Sequence, residues 1–497
     1  MNDINIPAHI QKIMSRLQSA EFQAVVVGGC VRDSLLDIPV KDWDVATSAT
    51  PDEVKKVFAG KTASNNGEAH GTILVLTDVE PVEVTTFRKD VSTDGRHAVV
   101  EFSGITEDLE RRDLTINAVA FDGRDFIYAN EFGLADIENR MIRFVGSAEQ
   151  RLTEDTLRAF RFGRIGIAKI GGQPVRGDVE AIRDLVAEKI IRIAAGNEND
   201  YVFPNALSWE RVRDEFFKML SYPNNGREIE KALKFFSYTG LLDLALPEVS
   251  ALTGIEQNIH HTQDVFEHTL SAVRETYITQ PTLDYVAKNF KSEMDFYHMS
   301  DGEFAFALVR FVMLLHDTGK NGTQEWVSLE YGFSFLKHEV LSTELAINIC
   351  RRFKLSDAVS KLVVTCVREH MAVPEKDWTD RAMRHWFRRV GEYAPILFDV
   401  RAADRSSKYT DIFAVATERG YVYDVSDLVD KACAFDTIQK KSLPINGDQI
   451  MDRYGLKPSK KIGQLLNAVE EMIINDPLVD IGVLWEQLDE VYNYQGE

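Results

Sequence analysis

The sequence predicts an α+β chain, a small mixed sheet near the N-terminus followed by a long, mostly helical remainder. Short β-branched runs such as Val25-Val26-Val27, and the alternating stretch Val82-Glu83-Val84-Thr85-Thr86-Phe87, mark strands in the first part. From about Asn224 onward the pattern reads as helices alone. At 497 residues the chain has room for about two to four domains, and its 44% hydrophobic content is that of a globular protein.

Residues 1–20 place Ile10, Ile13, Met14 and Leu17 on one helical face. Val25-Val26-Val27 then reads as a buried strand, and Gly28-Gly29 lets the backbone turn tightly and approach a ligand. The following CVRDSLL has helical spacing, so the glycines stand at a helix N-terminus, whose free N–H groups suit a phosphate. After Pro39 a second short strand is expected to carry Asp42-Trp43-Asp44, with both carboxylates on one face. Such a pair repels itself unless a cation lies between, and oxygen-rich sites favour Mg²⁺. A phosphate cradle beside a metal-binding carboxylate pair points to phosphoryl or nucleotidyl transfer. The surroundings are neither a Rossmann fingerprint nor a P-loop, since G-x-G-x-x-G and G-K-[ST] are both missing there.

Thr50-Pro51-Asp52-Glu53 starts a helix, with Thr50 as cap and Pro51 in the first turn. Ile73 to Leu76 and Val82 to Phe87 are strands, and Glu83 is placed to add a third carboxylate to the metal site. Asp94-Gly95-Arg96 marks a turn. Glu107 to Asn117 reads as a helix with Arg111-Arg112 in its middle, and arginine forks hold phosphate oxygens bidentately. Arg151 to Arg164 reads as one further helix on which Asp155 and Arg158, three apart, are neighbours. A carboxylate accepts from the exocyclic amino group of cytosine or adenine while a guanidinium donates to the adjacent ring nitrogen. Uracil and guanine present the reverse order, so one Asp-x-x-Arg face can take C and A and refuse U and G; such bidentate pairing discriminates by roughly 1–3 kcal/mol. Ser208 to Leu220 is an amphipathic helix in which Glu210 and Arg211 read as structural.

These stretches, GGCVRDSLL with DWD, RRDLTINA and EDTLR, closely resemble the motifs of the class II tRNA nucleotidyltransferase and poly(A) polymerase family, part of the polymerase β superfamily. One departure is Asp37, where that family usually has Gly. The resemblance implies a polymerase-β-like catalytic head over 1–145, a helical neck over 146–223 and a C-terminal helical tail over 411–497 that meets tRNA. It implies that Asp42 and Asp44, with Glu83, hold Mg²⁺, and that Gly28, Gly29, Arg32 and Arg111 bind the nucleotide and its triphosphate. Asp113 would orient an arginine or a ribose hydroxyl. Asp155 and Arg158 would read the base, with Arg161 and Arg164 along the same basic stripe.

The helical part holds a second constellation: His260, His261, His268, the adjacent His316-Asp317, His338, His370 and Asp404. Neutral imidazole and carboxylate are good ligands for first-row divalent metals, and a bridging Asp can hold two. The ordered set resembles the HD phosphohydrolase domain, expected over 224–410. That likeness maps metal ligands onto His268, His316, Asp317 and Asp404, with His338 and His370 as candidates for a second metal such as Ni²⁺, Mn²⁺ or Co²⁺. It implies hydrolysis of phosphomonoesters or 2′,3′-cyclic phosphates. The polar segment between His268 and His316 is longer than that domain leads one to expect and reads as an insertion or mobile loop.

The formal net charge of −21 (57 basic against 78 acidic residues) argues against tight nonspecific coating of nucleic acid. Local basic groups, Arg381 to Arg389 and Lys457 to Lys461, are where RNA contact is expected. Four scattered cysteines, an N-terminus without an apolar core and no long apolar stretch fit a reduced, cytoplasmic setting with no membrane contact. The expected activity is therefore CCA addition to tRNA from CTP and ATP, with no DNA partner and a hydrolase side activity. A poly(A) polymerase, or an enzyme adding only C or only A, shares the motifs. Readings of other classes are an HD phosphohydrolase with an RNA- or nucleotide-binding N-terminal domain, and an RNA-binding scaffold.

Overall fold

The structure is a computed structural model describing residues 4–63, 68, 71–93, 98–194, 208–257, 263–328, 331–372, 378, 380–407, 443–476 and 479–494. The expectations for Asp94-Gly95-Arg96 and for His260 and His261 lie outside the described residues.

In the head, strands β1 (Ala24–Val27), β2 (Val45–Thr47), β3 (Thr62–Ala63), β4 (Thr72–Leu76), β5 (Pro81–Thr86), β6 (Arg88–Thr93), β7 (Ala98–Phe102), β8 (Val119–Phe121) and β9 (Phe126–Tyr128) follow in order. Seven of them form one sheet in the order β3-β4-β5-β2-β1-β8-β9, and β6 and β7 make a separate hairpin. Within the sheet β2 and β5 run parallel while its other pairs are antiparallel, so the sheet is mixed, as expected. Both faces are covered, because successive residues of β1 point to opposite sides: Ala24 and Val26 enter the main core, Val25 and Val27 a smaller one with Ala46, Phe87 and Ala120. Helix Ala8–Ser19 buries Ile10, Ile13, Met14 and Leu17. Thr50 closes a capping box with Glu53 at helix Pro51–Val57.

Four local expectations are corrected. Asp42-Trp43-Asp44 precedes β2 instead of riding on it. Its would-be partner strand ends at Val27, where Gly28 (φ 82°) turns the chain into helix Gly29–Leu35. The helix expected over 107–117 stops at Glu110, and Thr115–Asn117 is a separate 3₁₀ turn. Asp113 accepts from the Leu114 N–H at 2.8 Å there, a local bond that competes with helix continuation. The helix expected over 151–164 is broken at Asp155, whose backbone is extended (φ −154°, ψ 106°). Helix Ala148–Glu154 ends before it, Leu157–Arg161 follows, and Phe162–Lys169 winds as a π-helix. Glycines allow its close packing: a Cβ on Gly163 would lie 2.3 Å from Phe236, and one on Gly166 2.5 Å from Ile142. Finally, the segment after His268 is no loop. It forms helices Gln280–Asn289 and Lys291–Tyr297, the first with Pro in its opening turn and Val286 buried.

The body is built around helix Asp301–Leu315, on which helices Val265–Arg274, Gln280–Asn289, Asp357–Glu369 and Ala394–Ser406 pack. The helix is apolar nearly throughout. Its buried Arg310 donates to the carbonyls of Leu220 and Tyr222, at 2.7 Å each, and of Pro223 at 3.2 Å. At its other end Ser300 and Glu303 form a capping box, and Glu303 also pairs with Lys41, the residue before Asp42. A two-stranded hairpin, Glu325–Ser328 with Gly332–Ser334, interrupts the expected all-α pattern. The last helices, Gly447–Tyr454, Lys460–Asn475 and Ile481–Tyr494, share a core of their own, and Ser459 precedes the one that begins with Lys460-Lys461. Among the described residues no helix is long and apolar enough to cross a membrane.

Candidate active site and a buried histidine cluster

The register of the parallel pair, Val45 beside Val84, sets Asp44 beside Glu83 at the same end of the sheet. Asp44 also ties to β1 through its carbonyl, which accepts from Val27 N–H at 3.1 Å. Asp42, Asp44 and Glu83 are all exposed on their outer side. Crowding by protein on the inner side pushes the Asp44 carboxyl up to about 6; Arg112 pulls it back, and Glu83 and Asp42 push it higher. Asp42 and Glu83 thus crowd negative charge around Asp44, and a divalent cation would neutralise the cluster.

The phosphate cradle stands next to it. Gly28 has a positive φ that favours glycine, and a Cβ there would lie 2.8 Å from the movable Arg112 Nη1. Arg112 is the guanidinium over the cradle, and sequence reasoning singled out Arg111 instead. Arg111 turns to Asp108, at 3.0 Å from Nε and 2.9 Å from Nη2, and donates to the Arg88 carbonyl at 3.1 Å. Nothing in a pair of adjacent arginines distinguishes them; the chain turn after Glu110 does. Arg32 is 4% exposed and turned inward. It donates to Asp33 Oδ1 at 2.8 and 2.7 Å and to Asn117. Lys169 of the π-helix holds the other Asp33 oxygen at 2.6 Å, a link between head and neck that no spacing rule reveals. Asp113 accepts from Arg161 Nε at 2.7 Å, from Asn117 at 3.0 Å and from Leu114 N–H. Burial alone would raise its pKa, and these donors instead hold it well below the usual carboxylate range. Arg164 pairs with Glu215 at 2.5 Å and reaches Tyr222 at 3.2 Å. Arg161 and Arg164 therefore brace the neck in this structure.

Asp155 and Arg158 do not pair with each other. Arg211 holds Asp155 with both terminal nitrogens, at 3.2 and 2.6 Å, while Arg158 pairs with Glu154 at 2.5 Å and donates to the Arg111 carbonyl at 3.2 Å. The helix break separates the two side chains, and each is fixed by a partner of its own. Arg211, read as structural from sequence, is the group that orients Asp155.

In the body, six predicted ligands converge. His268 Nε2 lies 3.1 Å from Asp404 Oδ1 and 3.6 Å from Asp317 Oδ2, and His316 Nε2 lies 3.1 Å from that same Asp317 oxygen. The other Asp317 oxygen faces His338 at 3.2 Å and His370 at 3.8 Å. Two ligand triads result, His268 with His316 and Asp404, and Asp317 with His338 and His370. None of the six is more than 7% exposed. The outer ring nitrogens of His316, His338 and His370 face the carbonyls of Met313, Phe335 and Val367 at 2.7, 2.8 and 2.7 Å. That arrangement aims the inner nitrogens at the centre, as hydrogen-bond partners on the far side of metal-binding histidines do. His316 Nε2 is buried and makes no hydrogen bond of good geometry. Burial and neighbouring His316 push His370 down to about 3. Inward-facing imidazoles and a central carboxylate fit a divalent metal pair. Lys320, not singled out from sequence, lies 2.7 Å from Asp317 Oδ2. Arg388 and Arg389, expected at an RNA surface, pair with Glu470, Glu471 and Glu369.

Fold and site together describe a nucleotidyltransferase head joined to a helical body. The poly(A) polymerase head domain model matches residues 24–143 and the tRNA nucleotidyltransferase domain 2 model residues 320–480. The CCA tRNA nucleotidyltransferase 1, mitochondrial, of Danio rerio is 41% identical over 232 residues, 45% of this chain and 50% of that protein. The chain thus spans about half the length of the first curated relatives it matches. The CCA-adding enzyme of Streptococcus thermophilus is 28% identical over 481 residues, 96% of this chain and 95% of that one. The crystal structure of the Bacillus stearothermophilus CCA-adding enzyme in complex with CTP shares the fold, with a TM-score of 0.63 and 23% identity over 99% of both chains. The head is thus similar to the poly(A) polymerase head domain, and the chain as a whole to CCA-adding enzymes.

Proposed function

We propose that the protein is a CCA-adding tRNA nucleotidyltransferase of the cytoplasm, acting on tRNA with CTP and ATP. The observation that carries this reading is the carboxylate trio, Asp42, Asp44 and Glu83, beside the Gly28-Gly29 turn and Arg112. When bound there, Mg²⁺ would supply charge neutralisation between an RNA 3′ hydroxyl and an α-phosphate. The chain's own part is to aim the acids, offer helix N–H groups to the triphosphate and place Arg112 over it. Asp155, set by Arg211, and Arg158, set by Glu154, read the base edge. We assign the head to 1–145, the neck to 146–223, the hydrolase-like body to 224–410 and the tail to 411–497. A relative named a CCA-adding enzyme that matches nearly the whole length favours this over poly(A), C-only or A-only addition. The test is a tRNA lacking its 3′ end, incubated with CTP, ATP or both, and product length read on a gel. Addition of two C residues and one A supports the reading; a long A tail or no extension overturns it.

A second activity rests on a separate observation, the closed histidine–aspartate cluster. We infer a metal-dependent phosphohydrolase there, with a divalent ion such as Ni²⁺, Mn²⁺ or Co²⁺, acting on phosphomonoesters or 2′,3′-cyclic phosphates. Release of phosphate from such substrates by metal-loaded protein tests it, and no release with any of these ions counts against it.

A further inference from the structure

The hairpin Glu325–Ser328 with Gly332–Ser334 interrupts the helical body, and it springs from the histidine cluster itself. Its incoming side leaves Lys320, bound to Asp317 Oδ2. Its outgoing side returns through Phe335, whose carbonyl lies 2.8 Å from His338 Nδ1 and whose ring lies 5.4 Å from Lys320 Nζ. Trp326 sits opposite Phe333, their rings edge to face at 5.1 Å. Phe333 is two residues from Phe335, so Trp326 stands about 7 Å of strand from the root of the hairpin. Trp326 is 57% exposed, and Tyr331 and Leu336 are exposed with it. A core-forming role does not account for so much uncovered aromatic surface next to a buried ligand set.

We propose that this hairpin is a stacking platform for the terminal base of an RNA strand whose 3′ phosphate reaches the histidine–aspartate cluster. The proposal deepens the hydrolase reading and rests on it: it names the substrate class as a nucleotide-bearing phosphate and sets small phosphoesters apart. The separation between root and tryptophan is of the order of a nucleotide's reach from phosphate to base. An exposed indole accepts any base, because every base has a π-face.

The test compares wild-type, Trp326→Ala and Trp326→Phe proteins loaded with Mn²⁺. Two substrates are used, 2′,3′-cyclic AMP and glycerol 1,2-cyclic phosphate, which has no ring to stack. Trp326→Ala should raise KM for the nucleotide about tenfold or more, leave its kcat and the glycerol ester unchanged, and be rescued by Trp326→Phe. Binding of a 3′-phosphorylated RNA oligonucleotide, followed by calorimetry, should weaken in parallel. If wild-type protein hydrolyses neither substrate, the hydrolase reading fails, and the binding measurement alone judges the platform. Equal binding by wild-type and Trp326→Ala proteins, or no binding by either, overturns the proposal. So does a dimer in sizing chromatography that Trp326→Ala dissociates, which would assign the patch to a second copy of the chain.

Discussion

In the head, Asp42, Asp44 and Glu83 face solvent, and their surroundings are a glycine turn and one arginine. In the body, six candidate ligands, Asp317 at their centre, are packed to 7% exposure or less, with the rings of His316, His338 and His370 oriented by backbone carbonyls. Folding alone brings the second set together, so a metal bound there would add to the stability of the body. The first site is open: Asp42, Asp44 and Glu83 would hold Mg²⁺ together with oxygens that a bound triphosphate would supply. An open site suits a substrate that must arrive, react and slide on. A closed one suits an ion that stays through many turnovers.

The sharpest way to break this comparison is to delete one site and assay the other. Asp42→Ala with Asp44→Ala should lower nucleotide addition by about a thousandfold or more, measured as extension of tRNA on a gel, while hydrolysis of a cyclic nucleotide persists. The reciprocal change, His316→Ala with Asp317→Ala, should abolish hydrolysis and bound metal, read by elemental analysis, with CCA addition kept within about twofold. Chelation should lower the thermal midpoint of the wild type by several degrees and leave that variant unmoved. A smaller effect tests the neck: Arg211→Ala frees Asp155, and misincorporation of U should rise by about tenfold in single-turnover assays. Unchanged selectivity would remove Asp155 from base reading.

The mildest test of the closed body is Asp399, which is buried and accepts from Thr279 N–H at 3.1 Å, joining helix Gln280–Asn289 to the helix that carries Asp404. Burial pushes its carboxyl up to about 7, against the pull of Thr282 and Thr279. The folded state therefore keeps a proton that the unfolded chain releases above about pH 4. Stability should fall as pH rises from about 4 to about 7 and then level off. Asp399→Asn should flatten that slope in urea titrations at pH 5 and pH 8 and leave both activities intact.

Much of this was legible in the chain. Val25 to Val27, Gly28-Gly29 and the Thr50 cap depend on local backbone chemistry, and each forms as read. The six candidate ligands of the body came from the likeness to the HD phosphohydrolase domain, and the fold brings them together. What sequence could not supply was direction. Arg111 and Arg112 are chemically identical neighbours and both reach Asp108, and only the turn after Glu110 leaves Arg112 with its other terminal nitrogen beside Gly28. Asp155 and Arg158 have helical spacing, but Arg211, 53 positions beyond Arg158, holds Asp155 in the extended backbone that breaks the helix. The stretch after His268 looked polar enough for a loop, and its apolar contacts show only once Val286 is seated in the core.

Lys41 touches Glu303 at the start of helix Asp301–Leu315, and His316-Asp317 follow its last residue. The two proposed chemistries thus occupy opposite tips of one 15-residue rod, roughly 22 Å long. An RNA terminus trimmed at one tip has to let go and travel the length of that rod before it can be extended at the other. Repair and growth of the same strand would then be consecutive visits, with the order dictated by whichever end-group the RNA carries on arrival.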